Sequence, residues 1–165
     1  MDEPQNHTEQ PPSELATRLE LGVLHWLAAA EAPDRFAPET LRAALGVELS
    51  PLGESPGLYW HGDALTPAWR YGLLLDRSRP APRLELDFRP SAGNDPSMRE
   101  IAAIDLEAAS SRLLEAGFQR DTVRAEHGRV DHHRFRRDAL TVEIYARGES
   151  AANPERQCIR LLVAR

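Results

Sequence analysis

The chain has 165 residues, of which 41% are hydrophobic and 28% are charged, and its formal net charge is −6. This composition is typical of a globular domain and excludes a disordered polar chain. No apolar run approaches the roughly 20 residues that span a bilayer, and the net negative charge argues against a general nucleic-acid binder, which needs basic contacts to phosphates.

Rare residue types narrow the chemistry further. All 20 basic residues are arginine, so the lysine-free chain cannot use Schiff bases or lysine general bases; arginine-only usage is typical of a GC-rich bacterial genome. The single cysteine, Cys158, cannot form an internal disulfide, and the polar N-terminus lacks the features of a secretory signal. We therefore expect a cytoplasmic protein.

The N-terminal part predicts a tail followed by two helices. Residues 1–12 are polar and contain three prolines, so we expect a flexible tail. Residues 13–165 predict a single α+β domain. Its helical part, 13–46, begins at the cap Ser13, and a second helix starts at Pro38. Residues 47–68 contain six glycines and prolines, which predicts a loop-rich connector.

From residue 69 to residue 165 the pattern changes to strands and one further helix. Strands are predicted at 69–75, 83–89, 129–137, 140–147 and 157–164. In the second of them, apolar and charged residues alternate, which indicates a sheet with one solvent-exposed face. The last strand is almost continuously apolar, so we expect it to be covered on both faces.

The clearest helix spans residues 105–118. Asp105 is a suitable N-cap, and Gly117 fits the left-handed position after the helix end. An apolar stripe at helical spacing is formed by Leu106, Ala109, Leu113 and Leu114.

These elements predict an α+β two-layer sandwich. Its mostly antiparallel, or mixed, sheet of about four to six strands is covered on one face by the central helix. The N-terminal helical pair lies beside that helix. The order of the strands remains open.

One group of residues suggests a metal site or acid–base chemistry. His127, Asp131 and His133 lie close in sequence, and Glu143 comes from the following strand. Imidazole and carboxylate groups together bind zinc or iron, so this group supports a small metal-binding or hydrolytic enzyme. On a strand, Asp131 and His133 share a face, and the alternative is a simple pair on a solvated edge strand. Cys158 is expected to be buried and unreactive.

A non-catalytic protein-binding domain is the favoured hypothesis, because no nucleophile, phosphate-loop or metal motif is present. No cofactor is implied. The predicted contact residues are the aromatic side chains of the connector and the outward side chains of the strands: Tyr59, Trp60, Glu85, Asp87, Glu143 and Tyr145.

Size and net charge also suit a bacterial immunity or antitoxin protein. Such a protein neutralises a basic toxin or effector by covering its surface. The two N-terminal helices could also suggest a DNA-binding regulator. However, no basic recognition helix follows them, so we expect neither a nucleic-acid nor a membrane partner.

Overall fold

Three α-helices and eight β-strands form the fold in the computed structural model, which describes residues 11–93 and 95–165. The predicted flexible tail therefore lies, for residues 1–10, outside the described residues. The helices are α1 (Glu14–Ala29), α2 (Pro38–Leu45) and α3 (Leu106–Glu115). The strands are β1 (Ser50–Pro51), β2 (Leu58–Ala64), β3 (Trp69–Asp76), β4 (Arg83–Pro90), β5 (Gln119–Arg124), β6 (Val130–Arg137), β7 (Leu140–Gly148) and β8 (Gln157–Ala164).

All eight strands join one sheet in the order β1-β2-β3-β4-β8-β7-β6-β5, and every neighbouring pair is antiparallel. The order shows a duplicated topology. Each half begins with helical structure and continues as four consecutive strands, and the two fourth strands, β4 and β8, meet at the centre. Strands β4 and β8 are antiparallel. The two halves of the sheet are therefore related by an approximate two-fold axis that passes between these two strands. No sequence repeat indicates this symmetry.

The predicted α+β class is confirmed, but the predicted number of four to six strands is wrong. The two additional full-length strands are β2, within the predicted connector, and β5, which the sequence pattern left as a polar linker. Glycine in β2 and charged residues in β5 conceal the strand periodicity, since these strands lie next to or at an edge of the sheet and are only partly buried. Helix α3 also shares the covering role with α1 and α2 rather than forming the cover alone.

The hydrophobic core lies on one side of the sheet, between the strands and the helices. Alternate strand residues point into it, as the pattern of β4 predicted. These buried strand side chains include Trp69, Tyr71, Leu73, Leu75, Leu84, Leu86, Phe88, Phe135, Val142 and Ile144. The helices contribute Leu19, Val23, Leu27, Leu41, Leu45, Leu106, Ala109 and Leu113. Because all three helices share this core, they lie on one face of the sheet.

Helix α3 begins and ends as its sequence predicts. The Asp105 carboxylate accepts a hydrogen bond from the N–H of Ala108 at 2.8 Å, and Gly117 has a φ of 91°. The predicted apolar stripe is wrong at Leu114, which is 46% exposed. Ser110 is buried in the corresponding turn, where its hydroxyl donates to the carbonyl of Leu106 at 2.7 Å.

One arginine joins two helix ends to the sheet. The guanidinium of Arg137, at the end of β6, lies 4.4 Å from the centre of the Phe118 ring. Carbonyl groups at helix C-termini lack partners within the helix and carry partial negative charge. Arg137 donates hydrogen bonds to four of these carbonyls, which belong to Leu27, Ala28, Ala30 and Ala116. The ends of α1 and α3 are thereby fixed to one another and to β6.

We expect Arg137→Ala to lower the free energy of unfolding by about 3 kcal/mol or more, because it leaves several carbonyls at the helix ends without a donor. Arg137→Lys restores the charge but not the planar fork of donors, so it should recover only part of this loss. Urea denaturation measures both changes. Arg136→Ala is the matched control, since Arg136 is exposed and its loss should cost no more than about 0.5 kcal/mol. Equal effects at the two positions would contradict this role.

Candidate interaction surface on the open sheet face

The side of the sheet opposite the helices, which we call the open face, has no helix over it among the described residues. Strand pairing aligns its side chains into rows that cross the sheet. One row contains Trp60, Leu74, Glu85, Val163, Glu143, Arg134 and Asp121. The next contains Gly62, Gly72, Asp87, Leu161 and Tyr145. Five of the six predicted contact residues therefore share this face with residues that the sequence did not predict: Trp60, Glu85, Asp87, Glu143 and Tyr145.

Trp60 is the most exposed aromatic residue of this surface, at 39%. Its ring lies across the pair formed by Gly62 on β2 and Gly72 on β3. A Cβ atom added to Gly62 would lie only 2.8 Å from Cη2 of Trp60. Glycine is unfavourable inside a strand. At these two positions it lowers the strand propensity, but the absence of a side chain lets the indole lie directly on the backbone.

The carboxylates beside Trp60 are already paired with arginines of the same strand. Glu85 lies 2.7 Å from Arg83, and Asp87 pairs with Arg89. A Cβ atom on Gly72 would lie 2.7 Å from Oδ1 of Asp87 and 3.1 Å from a terminal nitrogen of Arg89. The second glycine of the pair thus leaves room for this ion pair next to the indole.

Glu143 lies on the open face, as predicted, but its side chain is buried and does not form part of the exposed surface. It is 4% exposed, and its carboxylate lies 2.7 Å from the Arg165 guanidinium. Arg134 and Nε2 of His132 each lie 3.7 Å from the same carboxylate oxygen. Glu143 therefore holds charged side chains over the sheet instead of contacting a partner. Tyr145 is half-buried and packs on the His132 ring, with centres 4.8 Å apart.

Tyr59 lies on the opposite side of the sheet from Trp60. Successive residues of a strand point to opposite faces, and Tyr59 packs against the core on the helix side. It lines a cavity of about 180 Å³ together with residues of α2 and the segment after it. Both residues belong to β2 and not to a loop, so Tyr59, unlike Trp60, does not lie on the open face.

The four residues of the metal-site hypothesis do not converge. Nδ1 of His132, not of His133, lies 2.7 Å from the Asp131 carboxylate. His133 faces the helix side, where its Nδ1 lies 3.2 Å from Arg120, and burial followed by the charge of Arg120 lowers its pKa. His127 lies in a turn with a positive φ of 64°.

Within the described part of the chain, no group of three or more His, Cys, Asp and Glu side chains could hold a metal ion. A register shift between β5 and β6, opposite Asp131, changes the alternation on which the predicted Asp131–His133 pair depended.

Two further buried groups lie away from the open face. Burial raises the pKa of the Cys158 thiol to about 11, and the residue is fully buried, which confirms the expectation for this cysteine. Glu20 on α1 accepts a hydrogen bond from the Ala103 N–H at 2.8 Å and is 2% exposed. Burial raises the pKa of this carboxyl group to about 7, and the backbone hydrogen bonds from Ala103 and Ile104 oppose that rise.

No protein-family model, no curated protein and no solved structure matches this chain. The chemistry of the open face must therefore be argued from its own residues.

Removal of the Glu143 carboxylate is expected to destabilise the fold. Glu143→Ala leaves Arg134 and Arg165 close together without their carboxylate, and we expect a loss of about 3 kcal/mol in the free energy of unfolding. Glu85→Ala is the matched control, because its ion pair is about one-third exposed and should contribute less than about 1 kcal/mol. Thermal and urea unfolding of both variants provide the comparison. Equal losses would contradict the assignment of Glu143 to structure.

Glu20 should make stability depend on pH. Its folded-state pKa of about 7 lies above its ordinary value of 4.5, so the folded state binds more protons between these values. The free energy of unfolding therefore falls as pH rises through this window, by about 3 kcal/mol. Glu20→Gln should remove this contribution and make the variant more stable than the wild type at about pH 8. Denaturation curves with the same pH dependence for both proteins would contradict the raised pKa.

Proposed function

We propose that this protein is a non-catalytic protein-binding domain that engages its partner through the open face. The observation that supports this most is the half-exposed indole of Trp60, which lies over two glycines on a sheet face that no described helix covers. Tryptophan, tyrosine and arginine are enriched where protein interfaces concentrate their binding energy. All three residue types are present on the open face.

The internal order of this face also supports recognition over catalysis. Several of its charged side chains are held by ion pairs, as Glu143 holds Arg165 and Asp87 holds Arg89. Prepaired side chains lose little conformational freedom when a partner binds. By contrast, the Asp131–His132 pair has no Ser, Cys or Thr within hydrogen-bond distance of its free nitrogen among the described residues, and burial keeps the Cys158 thiol protonated at neutral pH.

The finer part of the proposal is a bacterial immunity or antitoxin role in the cytoplasm. A protein that neutralises a toxin by covering its functional surface requires a preformed docking face and no catalytic group. The ion-paired side chains around Trp60 on the open face support such a role. Co-expression with a toxin or effector encoded by a neighbouring gene tests the role directly: protection of the host cell supports it, and continued toxicity despite complex formation contradicts it.

Trp60→Ala is expected to weaken binding to such a partner by about 2 kcal/mol, or more than tenfold in Kd, since truncation of a central tryptophan removes an interface anchor. The matched control is Leu114→Ala. Leu114 is comparably exposed, at 46% against 39% for Trp60, but it lies on α3 on the helix side. Calorimetric titration of the purified partner gives both affinities, and circular dichroism verifies folding. If Leu114→Ala weakened binding and Trp60→Ala did not, the open face would not be the binding surface.

A further inference from the structure

Two arginines face each other across strands on the open face, close to Trp60. Arg70 on β3 pairs in register with Arg89 on β4, and both side chains are exposed. Side chains at directly opposed positions lie about 5 Å apart at Cβ, and like charges there destabilise a sheet. The fold retains this repulsion at an exposed position where almost any residue would fit.

Only one of the two arginines has a carboxylate partner. Asp87 pairs with Arg89, whereas Arg70 forms no ion pair with any described residue. Arg136 projects from the same face near its other edge and is likewise unpaired in the described part of the chain. The nearby carboxylates Glu85 and Glu143 are taken up by Arg83 and Arg165. Asp121 is the carboxylate of this face that forms no ion pair among the described residues, and it lies on β5, at the far edge from Trp60. Around Trp60 the charge left without a partner is therefore that of Arg70, which is positive, although the whole chain carries −6.

The indole N–H of Trp60 adds a third donor at the same place. Trp60 Nε1 and a terminal nitrogen of Arg89 lie 3.5 Å and 3.1 Å from the position that a Cβ atom on Gly72 would take. The indole N–H donates to no acceptor among the residues that the structure describes. An indole N–H and two guanidinium groups can donate hydrogen bonds to a carboxylate. The exposed aromatic ring beside them can pack against an apolar side chain next to that carboxylate.

We propose, as an extension of the proposed function, that this site binds an acidic segment of the partner protein. A partner Asp or Glu is received between Arg70 and Arg89, and a neighbouring aromatic or aliphatic side chain packs on Trp60. The net charge of the chain led to the expectation of a basic partner, but the contact is decided by the local charge, which is positive here. Nucleic-acid phosphate is the less favoured ligand, because an extended polyanion would also meet the acidic remainder of the chain, whose net charge is −6.

Selection from a displayed library of short random peptides on the immobilised full-length chain tests this proposal. Enriched peptides should combine Asp or Glu with an adjacent aromatic or leucine residue. Their affinities, measured by fluorescence polarisation, should fall about tenfold or more in Arg70→Glu and in Trp60→Ala. Arg112→Glu, an exposed substitution on α3, should change them less than about twofold.

Other results would contradict either the acidic partner or the open face as the binding surface. Enriched peptides that require Trp60 but are basic, or are insensitive to Arg70→Glu, would overturn the acidic partner and leave the binding surface standing. Peptides that bind without Trp60, or no enrichment at all, would overturn the open face as the binding surface. Binding of single-stranded RNA that is lost in Arg70→Glu would replace the acidic segment with phosphate. Arg70→Glu should itself be at least as stable as the wild type, since it relieves the repulsion with Arg89.

Discussion

The guanidinium of Arg137 is the contact on which the arrangement of layers depends. It bonds carbonyls at the C-terminal ends of α1 and α3, so two helices that are far apart in sequence end at the same point beside β6. Both helices are thereby kept on the side of the sheet that carries the large apolar side chains. A sheet of eight strands has two faces to cover, and the three α-helices of residues 11–93 and 95–165 all lie on one of them. The open face is therefore left without a covering helix among the described residues.

The open face carries features that folding alone does not require. A glycine pair in the middle of two strands, and two arginines opposite each other, both reduce the stability of a sheet. They occur next to one another, and a half-exposed tryptophan lies over them. That these rules of stability are broken together at one place supports the proposed binding role of this face. The two halves of the sheet differ on the open face. The half with β1 to β4 carries Trp60 over two glycines, whereas the half with β5 to β8 carries the ion pairs of the buried Glu143.

Much of the fold could be predicted from sequence, because its signals are local. Asp105 and Gly117 mark the ends of α3, and the alternation of Leu84, Leu86 and Phe88 assigns the two faces of β4. Strand β2 was missed because Gly62, which lies under the Trp60 ring, interrupts its pattern. The same glycine that makes room for the indole thus concealed the secondary structure.

The site was predictable only where it depends on alternation within one strand. Glu85 and Asp87 were placed on the correct face by the period of β4. Tyr59 was misplaced because its strand was not recognised, and the burial of Glu143 depends on Arg165, at the end of a different strand. The pairing of Arg70 with Arg89 is a matter of register between two strands. No local pattern encodes a register, so this feature required the structure.

Nuclear magnetic resonance of the bound protein tests the central claim most directly. Side-chain N–H signals report separately on the Trp60 indole and on the Nε groups of Arg70 and Arg89, while backbone amides report on all three helices. Titration with a selected acidic peptide should shift those side-chain signals and the amides of β2, β3 and β4, and leave α1 and α2 unchanged. Shifts concentrated on the helices, with the Trp60 indole signal unmoved, would contradict the account.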